Sequence, residues 1–193
     1  MADVELELGR RETDASGEFR RLLLGAIPGL RAFAMSLSAR PDRADDLVQE
    51  TLMKAWKHQH AFESGTNLRA WLCTILRNEF YNQLRKRRRE VEDADGAHSG
   101  SVAVPGSQES QLDMADMRRA IGQLPDDQRE AVVLVGALGF SYDEAAEVCG
   151  VAVGTVKSRV SRARGKLAIY FGIDGVTTTR VQPRVDFAIP AKA

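Results

Sequence analysis

Between Gly139 and Leu167, five cations recur with no acid after Lys157: Lys157, Arg159, Arg162, Arg164 and Lys166. Ammonium and guanidinium groups grouped in this way bind a polyanion. Long cations anchor on phosphates, while shorter reach to base edges confers sequence choice. Nucleophilic or acid–base chemistry has no comparable signal. No serine, cysteine or carboxylate grouping has a base and an orienting partner at recognisable spacing, so the chain reads as non-enzymatic. His58 and His60 are two positions apart, which on a helix points their rings to different sides. No metal or cofactor is expected.

The cations need elements to carry them. Ser141 can cap a short helix, with Glu144 closing a capping box three places on. Gly150 is placed to adopt the left-handed conformation that ends such a helix. A second helix then starts near Val153 or Gly154, with Val156, Val160 and Leu167 on its inner face. Two helices, a glycine turn and a basic second helix form a helix-turn-helix whose recognition helix can enter a major groove. The implied ligand is DNA.

Overall charge conceals this. Lysine plus arginine equals aspartate plus glutamate, 27 each in 193 residues. Arg85 to Arg89 is nevertheless an unbroken cationic run, and residues 90–116 carry acids with no lysine or arginine. Two basic surfaces and an acidic spacer follow. Cys73 and Cys149 are too few and too separated for a disulfide framework or a zinc site, and each falls in a helical pattern, as a buried thiol. The chain starts acidic and has no apolar run of membrane-span length, which points to a cytoplasmic protein with no membrane partner.

The pattern along the chain is all-α, in two small helical domains. Residues 1–16 read as a polar arm and 17–89 as a first domain. Within it, a short helix covers Phe19 to Leu24, and Pro28 opens another with Leu30, Phe33, Ala34 and Leu37. Asp42 and Asp45 signal a helix reaching about His58, with Leu47, Val48, Thr51, Leu52, Ala55 and Trp56 inward. After a loop from Phe62 to Asn67, a long helix buries Trp71, Leu72, Ile75, Leu76, Phe80 and Leu84. Residues 90–109 lack periodicity and read as a flexible acidic linker spanning roughly 25 Å on average. The second domain, 110–170, opens on an apolar stripe of Leu112, Ala115, Met117, Ile121 and Leu124. Pro125 then starts a helix with Ala131, Val132, Leu134, Val135 and Leu138. Residues 171–193 read as an irregular tail.

Three segments, Asp46-Leu-Val-Gln-Glu-Thr-Leu-Met-Lys-Ala-Trp56, Trp71-Leu-Cys-Thr-Ile-Leu-Arg-Asn78 and Leu124-Pro-Asp-Asp-Gln-Arg129, resemble the bacterial extracytoplasmic function (ECF) sigma factors. So does the helix-turn-helix, and Gly139-Phe-Ser-Tyr-Asp-Glu-Ala-Ala-Glu-Val-Cys-Gly150 is similar to the EcfG-like general-stress subgroup. The resemblance covers about residues 18–169. It implies a subunit that binds core RNA polymerase, directs it to promoter DNA and is held by an anti-sigma factor until stress. By position, Asp46, Gln49, Glu50 and Lys54 form the polymerase-docking face. Phe62, Ser64, Thr66 and Asn67 offer a ring, hydroxyls and an amide to a flipped base of the downstream (−10) element. Asn78, Tyr81 and Asn82 lie on the outer side of the following helix, with Arg77 and Arg85 toward phosphates. In the recognition helix, Lys157, Ser158, Ser161 and Arg162 face base edges of the upstream (−35) element, and Thr155, Arg159, Arg164 and Lys166 lie nearer phosphates. Ala152 departs from the pattern, since a serine often caps this helix.

Bland explanations compete at each position. The polar side of the helix from Asp46 is otherwise an ordinary solvated face, and Thr66 or Asn67 can simply cap a helix. Two other functions also compete. One is a sigma-like decoy that titrates an anti-sigma factor; it would not need two basic faces. The other is a dimeric helix-turn-helix repressor, which leaves the first domain unexplained.

Overall fold

A computed structural model describes residues 2–63, 65–92 and 109–173, with side chains for 17–63, 65–89 and 114–173. All regular structure among them is helical, and the chain divides into two compact units, 1–101 and 102–193. The first holds α1 (Ala2–Ser38), α2 (Pro41–Lys57), a 3₁₀ turn (Gln59–Ala61) and α3 (Leu68–Glu92). The second holds α4 (Glu109–Gly122), α5 (Asp126–Val132), α6 (Tyr142–Cys149) and α7 (Val153–Tyr170).

In the first unit the three helices pack mutually around Phe33, Leu30, Leu47, Leu72 and Leu76, all essentially inaccessible to water. Each such side chain contributes about 1.5–3 kcal/mol by leaving water. The expected break at Pro28 is absent. α1 runs straight through it, although an interior proline costs about 3 kcal/mol. Leu23, Ala26, Leu30, Phe33 and Ala34 are buried on both sides of Pro28, and one continuous helix keeps them on a single face. The polar start, expected as a loose arm, also belongs to α1 from Ala2 onward; its Glu, Leu, Arg and Ala residues are good helix formers. α1 ends on Ala39, a non-glycine residue at φ 55°, whose N–H donates to the Met35 carbonyl. α2 begins at Pro41 after an Arg40 cap with no side-chain bond, rather than on the Asp42 signal. Asp42 instead pairs with Arg40, at 2.5 Å.

Four rings stitch the first unit together. Phe19 of α1 lies 6.4 Å from Trp56 of α2 and 6.0 Å from Phe62, and Phe62 lies 5.6 Å from Trp71 of α3. Trp56, expected inside, is half exposed, and Trp71 is half-buried.

In the second unit α7 packs on α4, α5 and α6. Ala120 is buried on α4 and Leu124 in the turn that follows it, whereas Met117, expected in that stripe, is exposed. Beyond α5 the helix widens into a π-helical turn, Val133–Ala137, which the periodicity did not reveal. Ala131 through Val135 are all buried, and five consecutive residues pass around every side of a helix, so this segment is enclosed on all faces. The Leu138 N–H donates to the Val133 carbonyl, and Phe140, fully inside, donates its N–H to Leu134. No helix among the described residues is long and apolar enough to cross a membrane.

Candidate nucleic-acid interface

The helix-turn-helix is built as its residues dictate. Ser141 Oγ accepts from the Glu144 N–H at 3.1 Å, and Glu144 Oε2 accepts from the Ser141 N–H at 2.8 Å. Gly150 closes α6 at φ 65°, and α7 begins at Val153 after Ala152, which makes no side-chain cap. Val156, Val160 and Ala163 are buried at helical spacing, with Leu167 half-buried. The opposite side carries the cations. Lys157, Arg162 and Lys166 are exposed, and Thr155, Ser158, Ser161 and Arg164 are half-buried. Ser158 donates to the Thr155 carbonyl at 2.9 Å and accepts from Arg162 at 3.0 Å, so two groups assigned to base edges also hold one another.

Arg159 has a partner on another helix. Its side chain is only 20 % exposed and sits 3.2 Å from Asp127 of α5, which ties the recognition helix to its scaffold. The spacing could not disclose this, because the partner lies on a different helix. Tyr142 was also missed: the Lys157 ammonium lies 5.8 Å from its ring centroid.

In the first unit, Asp46 and Gln49 are exposed on α2, but Glu50 and Lys54 are engaged by α3. Lys54 pairs with Glu79, while Gln83 donates to Glu50 at 2.8 Å and to Glu79 at 3.2 Å. Lys54 holds the Glu79 carboxyl below the ordinary range; burial, then Glu79 itself, pushes Glu50 above it. Glu79 and Gln83 were not singled out, though their spacing of four on α3 marks them as neighbours on one face.

The loop is more internal than its composition suggests. Phe62 is half-buried between Phe19 and Trp71, so its ring packs with theirs. Hydrophobic packing explains the difference, since an aromatic side chain in reach of two others is stabilised by joining them. Thr66 donates to the Glu63 carbonyl at 2.7 Å, and Asn67 Oδ1 caps α3 by accepting from Arg69 and Ala70. Ser64 lies outside the described residues. On α3, Asn78 and Asn82 are exposed; Arg77 stacks its guanidinium 4.8 Å from the Tyr81 ring, and Arg85 donates to Asn82 at 2.8 Å. A shallow pocket of about 270 Å³ opens beside them, lined by Lys54, His58, Trp71, Ile75, Asn78, Glu79 and Asn82. Its walls combine an aromatic face with amide edges. Burial pushes the Cys73 thiol up to about 12, so it stays protonated and inert.

A polar-faced three-helix unit followed by a basic helix-turn-helix is the organisation of a sigma-70-type protein, and both halves match family models of that kind. Residues 26–90 match sigma-70 region 2, and residues 114–167 match sigma-70 region 4. The chain is 56% identical over 153 residues to the ECF RNA polymerase sigma factor EcfG of Rhodopseudomonas palustris (strain TIE-1), covering 79% of this chain and 84% of that one. It is 37% identical over 126 residues to the ECF sigma factor SigC of Mycobacterium tuberculosis, covering 64% and 68%. The structure of the sigma factor RpoE in complex with the anti-sigma factor NepR from Bartonella quintana matches with a TM-score of 0.75 and 56% identity, over 82% of this chain and 99% of that one. The chain belongs to the ECF RNA polymerase sigma factors. It is thus a non-enzymatic protein that directs transcription initiation.

Proposed function

We propose that this sigma factor docks on core RNA polymerase through the polar side of α2 and grips a stress promoter at two separate elements. The observation that carries this is the acid-free cationic side of α7 in a chain that also has an exposed polar α2 face. Asp46 and Gln49 present the docking face directly. Glu50 and Lys54 support it through Glu79 and Gln83, and Lys54 remains half exposed for a partner.

The downstream element is read at α3. A flipped base needs a flat surface and hydrogen-bonding edges. The pocket beside Trp71, Asn78 and Asn82 supplies both, with Arg77, Tyr81 and Arg85 along the neighbouring surface. Thr66 and Asn67 set the entry of α3, and Phe62 anchors the loop from inside. The upstream element is read by Lys157, Ser158, Ser161 and Arg162, while Thr155, Arg164 and Lys166 hold phosphates; Arg159 fixes the helix that carries them.

An anti-sigma factor covers this chain before stress. The complex of the related RpoE with NepR supports that reading. So do the exposed apolar side chains Leu22, Leu24, Met53 and Trp56 in one unit and Ile169 and Ile173 in the other. Such a regulator acts in the cytoplasm, where its polymerase is. Purified chain added to core polymerase should give specific transcripts from a matched stress promoter. No transcript across a panel of such promoters would overturn the proposal, and a decoy would behave in that way.

A further inference from the structure

Lys157 and Tyr142 come from different helices of the second unit. The Lys157 ammonium lies 5.8 Å from the centroid of the Tyr142 ring, within the range where a ring face attracts a cation. Tyr142 is the first residue of α6, directly after the capping Ser141, and is half-buried; Lys157 is exposed on α7. Rigid parts set the distance between them. The capping box fixes the start of α6, and Gly150 at φ 65° with the Val151 N–H on the Ala146 carbonyl at 3.1 Å fixes the turn.

A lysine carries its charge on a flexible four-carbon stem. Left to itself, it spreads that charge over phosphates and base edges alike. Arg159 avoids this by pairing with a carboxylate, which also neutralises it. A ring acts differently, because it orients the ammonium without cancelling the charge that DNA requires.

We propose that Tyr142 is a specificity-determining positioning residue for the upstream element, its ring holding the Lys157 ammonium toward one base position. This rests on the reading that Lys157 faces a base edge. The test uses the full chain assembled with core RNA polymerase, its affinity measured on promoters carrying every single base-pair substitution in the upstream element. Lys157→Ala should flatten the preference at one position by about ten-fold. Tyr142→Leu should flatten that same position by about three-fold, with little change elsewhere. Tyr142→Phe should retain the preference, and Tyr142→Leu should add nothing to Lys157→Ala.

If Lys157→Ala flattens a position that Tyr142→Leu leaves intact, the role of Tyr142 is overturned while that of Lys157 stands. If Lys157→Ala flattens none, both fall. An even loss across all promoters with Tyr142→Leu also overturns the inference, since a residue that only supports the fold or a phosphate would act in that way. Tyr142→Trp decides the case where leucine impairs folding: it keeps a cation-binding face but not the tyrosine shape, so retained preference supports the inference and a flattened one overturns it.

Discussion

Replacing Lys54 by methionine keeps most of the side chain on α2 and deletes the ammonium that pairs with Glu79. Glu79 is only 13 % exposed and Glu50 lies against it, so the variant leaves two carboxylates together without their cation. Exposed ion pairs contribute about 0–1 kcal/mol, while breaking a buried pair costs about 3–5 kcal/mol. Lys54 is 49 % exposed, so solvent screening places the loss at about 1–2 kcal/mol at neutral pH. The pH dependence is more diagnostic. The hydrogen bond from Lys54 is the largest influence lowering Glu79. Stability from Glu79 is therefore present above the ordinary carboxylate value and is lost as pH falls through its lower folded value. Glu50 is raised, by burial first and then by Glu79. Its contribution runs the other way: full below the ordinary value and lost as pH rises through its higher folded value. Without Lys54 the largest influence lowering Glu79 is gone, so the deficit should be largest near pH 7 and shrink steadily toward about pH 4. Urea unfolding followed by tryptophan fluorescence measures this, because both tryptophans, Trp56 and Trp71, lie in the first unit and Trp71 lines the same pocket. Adding Glu50→Gln should recover about half of the loss. A deficit that does not vary with pH would refute the electrostatic account.

Four further outcomes follow from particular residues. Ala39→Gly should stabilise the first unit by about 0.5–1 kcal/mol, read by the same fluorescence melt, because φ 55° strains any residue with a Cβ. Ser141→Ala should cost the second unit about 1 kcal/mol in a far-UV circular dichroism melt, since it leaves the Glu144 N–H without its cap. In salt titrations of promoter binding, Arg164→Ala should reduce the slope of log K against log salt by about 0.9. Arg159→Met should leave that slope nearly unchanged while lowering stability, as expected of a side chain committed to Asp127.

The helix-turn-helix was legible because its signals are local. Ser141, Glu144 and Gly150 act within a few bonds of where they stand, and Val156 and Val160 declare the inner side of α7 by spacing alone. Residues whose partners lie far along the chain are less legible. Phe62 looked like a loop side chain offered to a base, and only the approach of Phe19 and Trp71 shows that its ring packs with theirs. Pro28 looked like a boundary, because its local cost is plain while the burial flanking it is not.

The sequence by itself determined the class of protein, the two helical units and the cationic face of the recognition helix, since periodicity, caps and charge runs are properties of neighbours in the chain. Tertiary structure alone decided which of those polar residues remain available to a partner. Asp127 pairs with Arg159, Glu79 pairs with Lys54 while leaving it half exposed, and the Tyr142 ring meets Lys157. Charge and hydrogen-bonding capacity are written in residue types, but their commitment depends on distances between helices, which no spacing along the chain encodes.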